Sequence, residues 1–306
     1  MQEKLKYYRT LADEFLNSSI SLTKMAAREG TTRQTLAKHF RELGVEIINK
    51  QNRLKFDNTV FDCIDTEEKA YWLGFIFADG YISSDSLKGK SRYLLEISLK
   101  ASDKNHLDKF NKFMKHENAS KVTIEDAKCG KTICKRCRWY VANKHLWETL
   151  NSYGCTPRKS LTLKFPNESI FKSRDLIRHF IRGYFDGDGC ISYANKEHTI
   201  PVYQILGTKE FLKVIMSYLN IEETLFHNHN NKKEVTMYIQ ASNRKAMYVL
   251  HKLYDNCSIY LNRKYERFIY FCRIFEKSNM LKQTNIGEGC DANTEITTET
   301  KESVAS

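Results

Sequence analysis

Residues 71–83 read YWLGFIFADGYIS, an apolar run that breaks off at Ala-Asp-Gly and then resumes in a strand-like alternation. The continuous apolar stretch AYWLGFIFA is nine residues long, far short of the ~20 a membrane span needs, so the run reads as a buried helix of a soluble fold. A carboxylate at such a tip, Asp79, has an ordinary explanation when taken alone. Helices often stop at a residue that tolerates left-handed geometry, and the preceding Asp is then solvated or hydrogen-bonded to the turn.

The run has a partner. Residues 181–192 read IRGYFDGDGCIS and align with WLGFIFADGYIS at residues 72–83. Gly74 matches Gly183, Ala78 matches Gly187, Asp79 matches Asp188, Gly80 matches Gly189, Ile82 matches Ile191 and Ser83 matches Ser192, always 109 residues apart. A repeat this long implies two similar half-domains; a solenoid repeats every ~20–50 residues. Small residues four apart on one helical face, Gly74 with Ala78 and Gly183 with Gly187, permit close helix–helix approach. If the two helices pack across a pseudo-twofold axis, Asp79 and Asp188 become neighbours at two negative helix ends. Such a pair is costly unless divalent cations neutralise it. Mg²⁺ suits it, because that ion accepts one or two carboxylates and fills its shell with water and phosphate oxygens.

At 306 residues the chain is long enough for a substantial core or for two compact units. Its formal charge of +12 favours a polyanionic partner. The charge is uneven: residues 281–306 carry net −3, which leaves +15 on residues 1–280. Nine scattered cysteines, an odd number with no apolar leader before them, point to a reducing compartment. The expected setting is cytoplasmic, in a bacterial or phage-infected cell, or organellar, with no membrane partner.

The segments 72–80 and 181–189 resemble the paired signature helices of the LAGLIDADG homing endonucleases in their single-chain, two-motif form. The resemblance spans roughly residues 60–280 and includes the trailing Gly-x-Ile-Ser. It departs at one place: the acid two residues before the catalytic carboxylate is Asp186 in the second copy but Phe77 in the first. The resemblance implies an α+β fold of two pseudo-twofold-related αββαββα half-domains, and site-specific hydrolysis of both strands of double-stranded DNA leaving short 3′ overhangs. It implies a monomer acting on a long, asymmetric target site, with Mg²⁺ as cofactor or Mn²⁺ in its place. Asp79 and Asp188 would be catalytic and metal-binding, with Ala78, Gly80, Gly187 and Gly189 completing the metal set. A lysine just after the last helix of each half comes near the scissile phosphate in the family, and the matching positions are Lys159 and Lys264, preceded by Arg158 and Arg263. The rival reading is a non-catalytic binder on the same scaffold, an RNA splicing maturase or a transcription regulator.

Local patterns agree with the implied order. In the first half, residues 92–100, 121–126 and 138–142 read as strands, and 106–114 and 143–154 as helices. In the second, PVYQILG and residues 234–241 read as strands, and TKEFLKVIMSYLN and SNRKAMYVLHKLYD as helices. In EVTMYIQAS, Val235, Met237, Ile239 and Ala241 alternate with Thr236, Tyr238, Gln240 and Ser242, so one face packs on helices while the other offers hydrogen-bonding groups. Such a ribbon fits the major groove. The sheet candidates for DNA contact are Lys100, Gln204, Thr236, Tyr238 and Gln240, joined by Arg158 and Arg263.

Residues 21–44 resemble a helix-turn-helix: a helix around Met25, a turn at Gly30, and a second helix carrying Leu36 and Phe40. Its exposed candidates are Thr32, Arg33, Gln34, Lys38 and Arg41. The expected organisation is therefore 1–45 helix-turn-helix-like, 46–65 basic linker, 66–170 and 171–280 the two halves, and 281–306 a disordered polar tail. Cys129, Cys134 and Cys137, with His145 and Cys155 downstream, lack the paired short spacings of a zinc site and read as reduced thiols. FHNHNN at 226–231 reads as part of a polar hairpin loop.

Overall fold

A computed structural model describes residues 2–18, 20–45, 47, 56–87, 90–115, 122–129, 132–159, 162–222, 226–228 and 237–287. The N-terminal helices α1 (Gln2–Asn17), α2 (Leu22–Arg28) and α3 (Arg33–Glu42) share a core of Leu11, Phe15, Met25, Leu36 and Phe40. Ser21 accepts a hydrogen bond from the Lys24 amide and starts α2; Thr32 accepts from the Thr35 amide and starts α3. Gly30 turns the chain between them at φ +63°. The sequence reading finds α2 and α3 but not α1, whose Leu11, Ala12 and Phe15 supply a third wall of this core.

The remainder holds two copies of one plan. The first copy is α4 (Glu67–Asp79), β1 (Gly80–Leu87), β2 (Lys90–Lys100), α5 (Lys104–Phe113), β3 (Thr123–Cys129), β4 (Thr132–Ala142) and α6 (Lys144–Ser152). The second is α7 (Leu176–Asp188), β5 (Gly189–Tyr193), β6 (Pro201–Gly207), α8 (Lys209–Leu219), β7 (Phe226–Asn228), β8 (Met237–Ser242) and α9 (Asn243–Tyr254), followed by α10 (Asn262–Gly287). Each copy has a four-stranded antiparallel sheet, ordered β1-β2-β4-β3 and β5-β6-β8-β7. The protein is thus an α+β fold of two αββαββα halves.

Alternation along the strands decides which face of each sheet is covered. Leu95, Ile97, Cys137, Trp139 and Val141 are buried beneath helices in the first sheet, and Tyr203, Ile205, Ile239 and Ala241 in the second. Their neighbours point the other way, to an open face. Helix α4 is apolar nearly all round and lies at the centre of the molecule, with residues 70–77 all buried. Thr66 caps it, accepting from the Lys69 amide at 3.3 Å. Both halves contribute to one continuous apolar core around α4 and α7.

Three sequence expectations shift here. The stretch 46–65 is expected to be a connector, yet within it Val60, Phe61 and Ile64 are buried in the main core, and Ile64 forms a parallel bridge with Phe171. Three large apolar side chains gain more from that burial than from lying along solvent. The tail is expected to be disordered from residue 281, but α10 runs to Gly287 because no proline or glycine interrupts LKQTNI; residues 288–306 lie outside the described residues. Strand β4 starts at Thr132, six residues before the expected 138, since its polar first half pairs with β3.

Candidate nucleic-acid cleft and its carboxylate pair

The helices α4 and α7 cross where both sequences are smallest. A β-carbon on Gly74 would collide with the Phe180 carbonyl oxygen, and one on Gly183 with the Tyr71 carbonyl oxygen. Each glycine thus meets the backbone three residues before the other, the reciprocity that a pseudo-twofold axis requires. One turn on, Gly187 rests against the Ala78 methyl group, and a β-carbon on Gly187 would stand 3.3 Å from Asp79 Oδ2. The crossing therefore delivers Asp79 and Asp188 side by side. Ala78 and Gly187 act by being small.

Both carboxylates are partly buried at the foot of the first strand of their halves. Burial, then the charge of Asp188, push the Asp79 carboxyl up to about 6, against the pull of Lys264, Lys159 and Arg263. Burial also raises Asp188, opposed by Lys159, Lys264 and a hydrogen bond from Tyr184. The corresponding residue on α4 is Phe75, so only one carboxylate has a phenol beside it. Two oxygen-donor side chains held together against their mutual repulsion suit a hard divalent cation, which would lower both pKa values and take its other ligands from water or phosphate. Among the described residues no cluster of three or more His, Cys, Asp or Glu is placed to hold a metal.

The two lysines behind the pair are buried. Lys264 donates to the carbonyl oxygens of Phe185, Asp186 and Gly189 at 2.6, 2.8 and 2.5 Å. Two of these carbonyls lie in the last turn of α7, where a cation is favoured, and that of Phe185 also accepts from the Gly189 amide. Burial lowers its pKa to about 8, although Asp186 pulls the other way. Lys159 donates to the Gly80 carbonyl. The carbonyls of Gly80 and Gly189, expected to serve a metal, each accept from a lysine.

The acid that the second motif carries and the first lacks also finds its place. Asp186 is fully buried and accepts from Tyr254 Oη (2.6 Å), Tyr71 Oη (2.7 Å) and the Leu261 amide (2.7 Å). It ties α7 to α4, α9 and the start of α10, and points away from the paired carboxylates' work. Burial raises its pKa, countered by Lys264 and these donors. Arg182, also fully buried, donates to Glu67 Oε1 (2.6 Å), Ile259 O (3.0 Å), Leu253 O (3.2 Å) and His179 Nδ1 (2.7 Å). Because a guanidinium only donates, His179 accepts at Nδ1 and is neutral, and burial lowers its pKa to about 4. Sequence reading misses Arg182 and Tyr184. Their signal is that α4 has Leu73 and Phe75 at the corresponding places.

Each carboxylate faces a cavity that runs onto an open sheet face. Asp79 lines one of about 710 Å³ with Ser98, Lys100, Arg136, Gly187 and Arg263. Asp188 lines one of about 180 Å³ with Ala78, Lys159, Tyr184 and Leu206. Arg263 is fixed by Asp103, whose Oδ2 lies 3.0 Å from its Nε, and remains half exposed. Arg158 is exposed, with φ at 60°. Gln204 and Gln240 face each other across β6 and β8, Tyr238 pairs with Leu206, and Thr236 lies outside the described residues. In the N-terminal unit Arg33, Gln34, Lys38 and Arg41 are all exposed, the last three forming one stripe along α3. Thr32 is used instead as the cap of α3.

Of the cysteine cluster, the side chain of Cys129 lies outside the described residues. Cys134 is disulfide-bonded, against the expectation of reduced thiols, while Cys137 is a buried free thiol that donates to the Lys100 carbonyl at 3.2 Å. His145 bonds to Asp62 and Cys155 is buried, both apart from that strand. Of FHNHNN, Phe226–Asn228 forms β7 and pairs with β8; 229–231 lie outside the described residues. Among the described residues no helix is long and apolar enough to cross a membrane.

Residues 175–254 match the family described as LAGLIDADG-like domain. Among solved structures, the chain is similar to the meganuclease I-SmaMI bound to uncleaveable DNA with a TTGT central four, at 15% identity over 72% of this chain and 93% of that chain, TM-score 0.41. It is similar also to the LAGLIDADG homing endonuclease I-GzeII in complex with its DNA target, at 14% identity, 73% and 93% coverage and TM-score 0.38. The LAGLIDADG meganuclease I-AabMI bound to uncleaved DNA gives 14%, 70%, 91% and 0.40. No curated protein matches the sequence.

Proposed function

We propose, from a chain whose residues 175–254 match the LAGLIDADG-like domain family, that the protein is a site-specific endonuclease that hydrolyses both strands of double-stranded DNA. The observation that carries this reading is the pair Asp79 and Asp188, delivered together by two helices and flanked by two open sheet faces. A binder has no use for two adjacent, partly buried carboxylates facing phosphate, since each repels the ligand and the other. The residues fit Mg²⁺, with Mn²⁺ as a substitute, held by Asp79 and Asp188; when bound, the ion supplies Lewis acidity toward a phosphodiester oxygen and acidifies water.

The chain's own groups do the rest. Asp79 and Asp188 must be ionised to act. Lys159 keeps donors beyond its bond to Gly80 and can place a positive charge where the phosphate gains negative charge. Arg263, oriented by Asp103, offers a guanidinium at the mouth of the Asp79 cavity. Two different half-domains in one polypeptide favour a monomer on a long asymmetric site with one cut per strand, and the resemblance to the family implies that the cuts leave short 3′ overhangs.

The test is incubation of the full chain with a randomised duplex library, with and without Mg²⁺, followed by sequencing of the ends. Metal-dependent scission at a fixed stagger is expected. Asp79→Asn and Asp188→Asn are expected to lose double-strand cleavage by at least ~100-fold while still binding the selected duplex. Binding without scission in wild type would replace this reading by the non-catalytic one, a splicing maturase or a regulator.

A further inference from the structure

At their described positions the two open sheet faces carry different chemistry. Cross-strand partners on one face of the first sheet are Glu96 with Tyr140, Ser98 with Arg138, and Lys100 with Arg136. Beyond them Glu125 of β3 stands opposite Arg136. The charges are held in pairs: Arg138 Nη2 lies 2.5 Å from Glu96, Arg136 Nη2 lies 2.5 Å from Glu125, and the Arg138 guanidinium stacks over Tyr140 at 5.0 Å. The second sheet presents Cys190, Gln204 and Gln240 in one row, with Ser192, Leu206 and Tyr238 around them. At the described positions of that face no Asp, Glu, Lys or Arg appears.

This difference has a direct meaning in the major groove. A guanidinium bonds in bidentate fashion to guanine O6 and N7, and a carboxylate accepts from cytosine N4, so alternating Arg and Glu match the two edges of a G·C pair. A carboxamide bonds in bidentate fashion to adenine N6 and N7, and apolar groups meet the thymine methyl, so paired glutamines beside Leu206 match A·T. The pre-formed Arg–Glu pairs restrain these long side chains before docking, which reduces the entropy lost.

We propose that the chain reads a DNA site of unequal halves, G·C pairs under the first sheet through Arg136, Arg138, Glu96 and Glu125, and A·T pairs under the second through Gln204 and Gln240. This rests on the reading that the open faces enter the grooves of duplex DNA, and it is independent of cleavage. Binding alone tests it. The full chain selects from a randomised duplex library in EDTA, and bound sequences are compared for wild type, Arg138→Gln, Gln240→Ala and Gln240→Arg.

Wild type is expected to select duplexes with one G·C-rich and one A·T-rich flank about a common centre. Arg138→Gln should relax only the G·C-rich flank and Gln240→Ala only the other, each by roughly 5- to 150-fold at one position. Gln240→Arg should move one selected base from A to G, a gain that misfolding cannot imitate. Flanks of equal composition, or a Gln240 variant that relaxes the G·C-rich flank, would overturn the proposal while leaving a duplex-binding endonuclease intact. Failure to select any duplex would overturn both.

Discussion

Three carbonyl oxygens close around the Lys264 ammonium and use all of its N–H donors. Lys159, at the matching place in the first half, bonds to the carbonyl of Gly80. Lys264 therefore acts as a clamp on the end of α7, while Lys159 is the one proposed above to meet an incoming phosphate. Replacing Lys264 by Met strips those carbonyls and leaves Asp186 without its nearby cation, which should cost ~3–5 kcal/mol in urea unfolding. Lys159→Met should cost less, and should lose cleavage while the protein stays folded. Equal destabilisation by the two changes would remove the distinction. A second buried base gives a pH signature. His106 is held by Tyr71 Oη at 3.1 Å, and burial lowers its pKa to about 3, below the ordinary value of 6.5. The unfolded chain takes a proton there below about 6.5. The folded chain refuses it until about 3. The stability His106 provides is therefore complete above the unfolded value and drains away as the pH falls between these limits. Relative to His106→Phe, wild type should lose about 2–3 kcal/mol between about pH 7.5 and about pH 4.5, measured by unfolding both proteins across that range.

At the scale of elements, everything turns on the crossing of α4 and α7. Gly183→Ala would place a methyl group on the Tyr71 carbonyl, and Gly74→Ala one on the Phe180 carbonyl; backbone cannot rotate out of the way as a side chain can. Each change should cost at least ~3 kcal/mol in thermal or urea unfolding and separate the carboxylates, with losses similar for the two because the contacts are reciprocal. A loss below ~1 kcal/mol for either would mean that the helices do not meet there. This crossing was legible in the sequence because glycine spacing and a 109-residue offset are local, countable features. Strand β8 was legible for the same reason, since its side chains alternate, and Thr208 and Asn220 mark the two ends of α8. What did not show was non-local. Nothing near Arg182 in the chain predicts Glu67, 115 residues away, as its partner. The fate of the Lys264 amine depends equally on where α7 ends in space. Helix α1 escaped notice because its mean character is polar, and only the positions Leu11, Ala12 and Phe15 reveal an apolar stripe.

Across the whole molecule the described apolar residues fall into two cores, one confined to residues 8–47 and one uniting both halves from residue 56 onward. Shared burial is what makes unfolding cooperative, so the two halves should melt together although each has a sheet of its own. The N-terminal helices have no part in that core. They bury few large side chains, a scale at which folded units are marginal. Deleting residues 1–45 should accordingly leave the main calorimetric transition within a few degrees of its original temperature, about the shift that 1 kcal/mol produces in a domain this large. DNA affinity should fall, because Arg33, Lys38 and Arg41 are lost from one exposed helix, and the slope of log K against log salt should shrink by ~1 for each phosphate contact removed. The cleavage position within the site should stay where Asp79 and Asp188 put it. A large drop in the main transition would show that the small core supports the large one, and an unchanged salt slope would show that α3 does not touch the DNA backbone.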